Sequence, residues 1–181
     1  MCYNENATIY VLQILANVRG GFMVHINIVC VGKIKEQYLK DAISEYSKRL
    51  SRYCNLSFTE LPDKKIPNKA NSSLEAQVIN AESDDIIAHL SSDSYNICLD
   101  LKGKELSSPE FANKLQEIQQ INSTINFVIG GSLGFNDKVR TKCKESICFS
   151  KMTFPHKLIR VFLLEQIYRA FKINNNETYH K

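Results

Sequence analysis

The sequence predicts a single α/β domain built around a mainly parallel β-sheet. Short apolar runs of strand length alternate along the chain with segments whose apolar residues recur at helical spacing, a pattern typical of strand–helix–strand connectivity. The strand-like runs are apolar almost continuously, which is expected when helices cover both faces of a sheet. With 181 residues, 44% of them hydrophobic, the chain is long enough to enclose one such core.

Each predicted element is bounded by turn or capping residues. We predict strands at residues 26–31, 56–61, 95–101, 125–129 and 146–149. We predict helices at residues 36–50, 74–90 and 108–121, and a fourth that opens at 154–156 and is apolar over 158–171. Ser72 or Ser73 is expected to cap the second helix, and the third strand is expected to turn at residues 102–104. Pro155 suits the first turn of the last helix because its missing N–H has no intrahelical partner there.

The C-terminal segment differs from the rest of the chain in both hydrophobicity and charge. Apolar residues at 158–171 surround almost the whole helix, which predicts burial on more than one side. Residues 150–181 contain six basic and two acidic residues, whereas residues 1–149 are balanced, so the net charge of +4 lies in this segment. A local basic excess favours an anionic partner, although small imbalances are also common on solvated helices.

The first 22 residues are predicted to lie outside the fold. Their apolar run, residues 9–18, is too short to span a bilayer and has no basic start of the kind found in signal peptides. Met23 begins a better-formed segment, so we expect an extension at 1–22 and one domain at 23–181; an added helix at 1–22 is the alternative. The six cysteines are scattered singly, which indicates reduced core residues of a cytoplasmic protein and no metal site.

Ligands of parallel α/β sheets bind at the carboxyl ends of strands, so three late strand ends are candidates. The fourth strand runs into Gly130-Gly131-Ser132-Leu133-Gly134, where glycines permit a tight turn and close approach of a ligand. No Gly-Lys-Ser/Thr follows, so this is not a phosphate-binding P-loop. The first strand is followed only by Val31-Gly32-Lys33, which disfavours ordinary dinucleotide binding.

An ordered set of C-terminal motifs closely resembles the RlmH family of the SPOUT superfamily. Members are bacterial methyltransferases that act on a pseudouridine N3 of large-subunit ribosomal RNA. The resemblance covers residues 24–181, and residues 1–22 have no counterpart. The motifs are Val128-Ile129-Gly130-Gly131-Ser132-x-Gly134, Phe149 to His156, Arg160, Glu165-Gln166, Tyr168-Arg169-Ala170 and Tyr179-His180-Lys181.

The resemblance implies a C-terminal trefoil knot, a homodimer and S-adenosylmethionine as the methyl donor. The family's cofactor contacts fall on Leu99, Gly130, Phe149, Ser150, Lys151, Met152, Thr153 and Phe154. The flat apolar slot that adenine requires fits the aromatic and aliphatic members of this set. Taken alone, Leu99, Phe149 and Phe154 would be interpreted as core residues, and only their place beside the glycine turn favours a binding role for Phe149 and Phe154.

The acceptor nitrogen of pseudouridine must lose its proton as the methyl group arrives, so positive charge and a proton acceptor are needed near it. The candidates are His156, Arg160, Tyr179 and His180. Arg160 suits a base carbonyl or a phosphate, and His180 suits a proton or a phosphate. The alternative roles are an ion pair for Arg160 and a helix cap for His156.

The expected function is therefore methylation of a pseudouridine in helix 69 of 23S ribosomal RNA, on the assembled ribosome. Two alternatives remain open at this point: a related knotted methyltransferase that acts on transfer RNA, and a non-enzymatic protein that binds RNA or nucleotides. We expect neither a membrane nor a metal among the partners.

Overall fold

A computed structural model describes residues 23–65 and 71–179. The strands are β1 (His25–Val31), β2 (Asn55–Leu61), β3 (Tyr95–Glu105), β4 (Thr124–Ile129) and β5 (Glu145–Cys148). The helices are α1 (Gln37–Leu50), α2 (Ser72–Ala88), α3 (Ser108–Ile121), α4 (Asp137–Lys142) and α5 (Leu158–Asn174). The predicted extension at 1–22 lies outside the described residues.

The strands form one sheet in the order β2-β1-β4-β3-β5, and each neighbouring pair is parallel. The predicted α/β class with a mainly parallel sheet is confirmed. Because the strands are parallel, their carboxyl ends lie at one edge of the sheet, where β3, β4 and β5 are neighbours. The trefoil knot stays a prediction.

Helices cover both faces of the sheet. On one face, α1, α3 and α5 enclose a core that includes Ile26, Ile28 and Phe127, while on the other face α2 and α4 cover Val29 and Val31. Successive β1 residues therefore point to opposite faces and are buried on each, which explains their uninterrupted hydrophobicity.

Helix α5 is the element that joins the core to the late strand ends. Its residues Leu163, Leu164 and Ile167 are fully buried, and burial of each such side chain stabilises the fold by about 1.5–3 kcal/mol. Phe162 on the opposite side keeps 38% of its surface exposed. The helix is thus buried on its sheet side and partly open on the other.

Three local predictions differ from the structure, and one short helix was not predicted. Helix α5 begins at Leu158, so Pro155 precedes the helix and does not lie in its first turn. The Pro155 carbonyl oxygen accepts hydrogen bonds from the first two N–H groups of α5. Asn71, rather than Ser72 or Ser73, caps α2, because its side chain accepts from Leu74 N–H at 2.9 Å. The short amide side chain reaches the third N–H of the helix from a residue still in the extended conformation.

Strand β3 does not turn at residues 102–104 but continues to Glu105, with a register shift against β5. Gly103 permits this path: a Cβ there would lie 2.6 Å from the Ile147 backbone. Helix α4 was not predicted, since its six residues are too few to show helical periodicity.

Among the described residues, no helix is long and apolar enough to span a membrane. In the same part of the chain no group of three or more His, Cys, Asp or Glu side chains is placed to hold a metal ion. All five described cysteines are free; Cys30, Cys54, Cys98 and Cys148 are buried, and Cys143 is half-buried.

Candidate active site

A cavity of about 450 Å³ lies at the carboxyl ends of β4 and β5, beside residues 99–102 of β3 and where the chain turns into α5. Its walls bring together residues from the three neighbouring strands at which the sequence analysis expected a ligand site, although β3 continues past the cavity to Glu105. Seven of the eight predicted cofactor residues line it: Leu99, Gly130, Phe149, Ser150, Met152, Thr153 and Phe154. The eighth, Lys151, is exposed and is not among the lining residues.

The glycine turn after β4 forms one wall of the cavity. At Gly130 a Cβ would lie 2.8 Å from the carbonyl carbon of Gly134 and 2.9 Å from the Phe135 ring, so only glycine fits without a shift of the backbone. Gly134 has a φ of +77°, a conformation that favours glycine. Gly130 and Gly134 therefore allow the chain to turn tightly where it borders the cavity.

The loop at residues 149–154 forms the opposite wall and changes from buried to exposed along its length. The Phe149 ring meets Phe111 edge to face at 6.5 Å and is anchored in the core. Farther along, Met152 donates its N–H to Ser150 Oγ at 3.0 Å, while its side chain is 72% exposed. Phe154 packs edge to face against Phe162 at 5.3 Å. This wall offers apolar faces next to polar backbone groups, which is the chemistry that a purine slot requires.

The cavity also contains an acidic residue that the sequence analysis missed. Asp100 directly follows Leu99 and accepts hydrogen bonds from Arg140 Nε and, at 3.1 Å, from Lys102 N–H. Burial on its own would raise the pKa of Asp100, but these hydrogen bonds hold it below its usual value. The sequence signal for Asp100 was its position directly after Leu99, near the end of the predicted third strand.

Arg160 is fully buried, and its hydrogen-bond partners are in the protein itself. Nη2 donates to the carbonyl oxygens of Val31 at 2.6 Å and Gly32 at 2.8 Å, and Nη1 donates to Glu60 at 3.2 Å. Its Nε is buried and has no hydrogen-bond partner among the described residues. Arg160 therefore fixes the carboxyl end of β1, and Glu60, which the sequence analysis did not single out, is its acidic partner.

His156 lines the cavity beside the same strand end. Its Nε2 lies 3.7 Å from where a Cβ on Gly32 would be. Burial lowers the pKa of His156, and the positive charge of Arg160 lowers it further. The imidazole is consequently neutral at lower pH than a free histidine and able to accept a proton.

Tyr179 lies apart from the cavity lining, on the outer side of α5. Its hydroxyl donates to Glu165 at 3.2 Å, and its ring meets Tyr168 edge to face at 5.1 Å. Burial and the Glu165 carboxylate raise the pKa of Tyr179 to about 12. The structure thus brings His156 and Arg160 together but not Tyr179, and His180 lies outside the described residues.

A comparison with protein families agrees with the parallel α/β sheet and with a cavity beside β3, β4 and β5. The family described as predicted SPOUT methyltransferase matches residues 24–180, and the chain belongs to this family. Within it, the chain is 49% identical over 159 residues to the ribosomal RNA large subunit methyltransferase H of Clostridium acetobutylicum, a match that covers 87% of this chain and 100% of the relative. The protein of the same name from Clostridium perfringens is 50% identical over the same shares.

A solved structure described as a probable methylase family protein from Haemophilus influenzae Rd KW20 is also similar. Its TM-score is 0.47 at 16% identity, and the match covers 86% of this chain and 70% of that chain.

Proposed function

We propose that this chain transfers a methyl group from S-adenosylmethionine to N3 of a pseudouridine in helix 69 of 23S ribosomal RNA, in the cytoplasm and on the assembled ribosome. The single observation that carries the proposal is the cavity at the carboxyl ends of β4 and β5, beside β3, in a chain of the SPOUT methyltransferase family. The names of relatives about half identical in sequence support large-subunit ribosomal RNA as the substrate.

The residues around the cavity fit the methyl donor. A volume of about 450 Å³ is within the range of small-molecule sites, roughly 300–1,000 Å³. Gly130 permits the tight turn that forms one wall of the cavity, and Leu99 and Phe149 supply apolar surface for an adenine ring. S-adenosylmethionine, when bound, would supply an electrophilic methyl group on a sulfonium sulfur, which the acceptor nitrogen would take up with release of the neutral thioether. The methyl acceptor needs positioning more than covalent help from the protein.

We propose that His156 and Arg160, which lie beside the end of β1, prepare the acceptor nitrogen. Neutral His156 accepts the imide proton, so that the nitrogen attacks as an anion. Arg160 holds the Val31 and Gly32 carbonyls, places the Gly32 turn beside His156 and adds positive charge that favours the anion. We propose that Tyr179 and His180 contact the RNA, because the tail combines an aromatic ring, a histidine and a lysine, which suit stacking and phosphate binding.

A homodimer is proposed because an apolar surface remains open beside the cavity. Met152, Phe154 and Phe162 are 72%, 38% and 38% exposed, and the two phenylalanine rings are in contact. We call these three residues the α5 patch. A second cavity of about 310 Å³, lined by Phe154, Phe162 and Glu165 among others, continues the patch along α5. An isologous contact through this face would cover the patch and bring two cavities close to the interface.

Titration calorimetry with S-adenosylmethionine tests the catalytic part of the proposal. The account expects saturable binding, whereas weak or absent binding would favour the non-enzymatic alternative. The substrate is tested by fragment masses of ribosomal RNA from cells with and without the protein. One large-subunit fragment should be lighter by one methyl group in cells that lack it, and a mass change in transfer RNA instead would favour the other alternative.

A further inference from the structure

Helix α2 lies against the glycine turn from the side opposite the cavity and presents buried polar side chains to it. Ser83, which is fully buried, accepts a hydrogen bond from Asn136 N–H at 3.0 Å. Asn80 accepts one from the Asn136 side-chain amide at 2.9 Å. Asn136 caps α4, directly after the turn. The outer side of the turn is therefore attached to α2 by specific hydrogen bonds as well as by apolar packing.

Glu82 makes the closest approach from α2 to the turn. Only 3% of its surface is exposed, and one carboxylate oxygen accepts the N–H of Lys64 at 2.9 Å. The other oxygen faces Gly131, where a Cβ would lie only 2.5 Å from it and 3.2 Å from the carboxyl carbon. The next contact of such a Cβ, Val31 Cγ1 at 3.3 Å, would need only a small shift. A side chain at position 131 would therefore have to displace the Glu82 carboxylate, which is held by burial and by its hydrogen bond from Lys64 N–H.

Both groups that Glu82 touches border the proposed active site. Gly131 belongs to the cavity wall. Lys64 follows Asp63, whose Cβ lies 3.8 Å from where a Cβ on Gly32 would be, next to His156. One buried side chain therefore joins the wall of the cofactor cavity to the loop beside the residue proposed to accept the proton.

Burial of a carboxyl group costs free energy, since burial disfavours its charged form and raises the pKa of Glu82. An apolar residue would fill the volume without that penalty but could not accept the Lys64 N–H. The geometry of two contacts on two different loops fits a role in holding those loops in a fixed relation.

We propose that Glu82 is a positioning residue that holds the glycine turn in the conformation that binds the methyl donor. Its carboxylate fills the space behind Gly131 and accepts the hydrogen bond from the Lys64 loop. This inference rests on the proposed function, because the ligand of the cavity is taken to be S-adenosylmethionine. It concerns a residue outside the cavity lining that acts on the ligand only through the turn.

The test is a double-mutant cycle on the purified full chain, with S-adenosylmethionine affinity measured by calorimetry. Gly131→Ala is expected to weaken binding about tenfold or more, since the new methyl group and the Glu82 carboxylate cannot occupy the same space and either the turn or the Lys64 loop must move. Glu82→Asp withdraws the carboxylate by one methylene group and is expected to weaken binding about threefold on its own. In the double variant the methyl group occupies the vacated space, so binding should be stronger than in Gly131→Ala alone.

The inference is overturned if Gly131→Ala weakens binding by the same factor with and without Glu82→Asp. If Gly131→Ala shows no cooperative melting, Glu82→Asp alone decides. A melting temperature lowered without any change in affinity would assign Glu82 to core packing only and overturn the proposal. Asp84→Asn, an exposed change on the same helix, is the matched control and should leave affinity unchanged.

The wild-type titration separates this inference from the proposed function. If wild-type protein does not bind S-adenosylmethionine, both fail. If it binds and the cycle shows no coupling, only the role of Glu82 fails.

Discussion

Arg160 donates a hydrogen bond from Nη2 to the carbonyl oxygen of Gly32, 2.8 Å away and 128 positions earlier in the chain. The contact connects the start of the last helix to the end of the first strand. It places His156, one turn before Arg160 in the chain, beside Gly32. The proposed catalytic corner of the site is therefore assembled only when the two ends of the domain have come together.

Replacement of Arg160 should separate its effects on stability, binding and turnover. Arg160→Met keeps an extended side chain but removes the hydrogen bonds to two carbonyl oxygens and to Glu60, so the free energy of unfolding should fall by about 3 kcal/mol in urea denaturation. At a temperature where the variant is folded, cofactor affinity should persist while turnover is lost. Loss of both together would make Arg160 a purely fold-supporting residue.

Arg49→Met is the matched control for this measurement. Arg49 pairs with Glu45 on the surface of α1, and its side chain is 42% exposed. Exposed pairs of this kind contribute little to stability, so the control should change the unfolding free energy far less than Arg160→Met does.

Replacement of His156 tests the proposed proton acceptor. His156→Gln keeps a polar side chain but cannot take up the proton, so turnover should fall about 100-fold or more while cofactor affinity stays within about threefold. Single-turnover methylation and calorimetry measure the two quantities. Unchanged turnover would remove His156 from the mechanism.

The pH dependence of turnover should show the lowered pKa of His156. Only the neutral imidazole accepts a proton, and burial disfavours the cation, so activity should persist as pH falls through 6.5 and decline only below it. The negative charge of Asp63 opposes this shift. Asp63→Asn should therefore move the acidic limb to still lower pH, and a shift to higher pH would contradict the assignment.

Gly130→Ala should abolish tight cofactor binding. The added Cβ would lie within 2.9 Å of the Gly134 carbonyl group and of the Phe135 ring, so the turn must move. We expect cofactor affinity to fall about tenfold or more in calorimetry. Lys138→Ala, a change at an exposed position on α4 outside the cavity lining, should bind normally. Wild-type affinity in Gly130→Ala would show that the turn does not border the ligand.

The α5 patch should determine the oligomeric state. Phe162→Asp places a charge in the centre of the proposed isologous contact, where each subunit would meet the charge of the other, and should convert the dimer to a monomer in sedimentation velocity. Tyr38→Asp changes a residue that is 68% exposed on α1 and should leave the sedimentation coefficient unaltered. A dimer that persists in Phe162→Asp would place the contact elsewhere.

The architecture could be predicted because each strand is buried on both faces and therefore apolar throughout. Ile28 and Val29, adjacent in β1, are both fully buried but in different cores. The glycine turn was predicted as a ligand wall for a similar local reason, since Gly130-Gly131 directly follows a strand. Seven of eight cofactor candidates line one cavity, although the resemblance to a known family, rather than periodicity, provided most of them.

What the sequence could not provide were contacts between residues far apart in the chain. The burial of Arg160 depends on carbonyl oxygens near residue 32, and no local pattern indicates that its guanidinium faces the protein interior. The close approach of Glu82 to Gly131 could not be predicted either, because nothing in the local pattern distinguishes Glu82 from other residues of its helix. Asp100 is different, because its position directly after Leu99, near the end of the predicted third strand, identifies it as a candidate from the sequence alone.

The most direct test of the account is transfer of a labelled methyl group from S-adenosylmethionine by the purified protein to ribosomes from cells that lack it. The account predicts label in a single large-subunit RNA fragment, located at N3 of a pseudouridine in helix 69, and none in the His156→Gln reaction. Label in transfer RNA, or no transfer to any RNA by a protein that binds the cofactor, would contradict it.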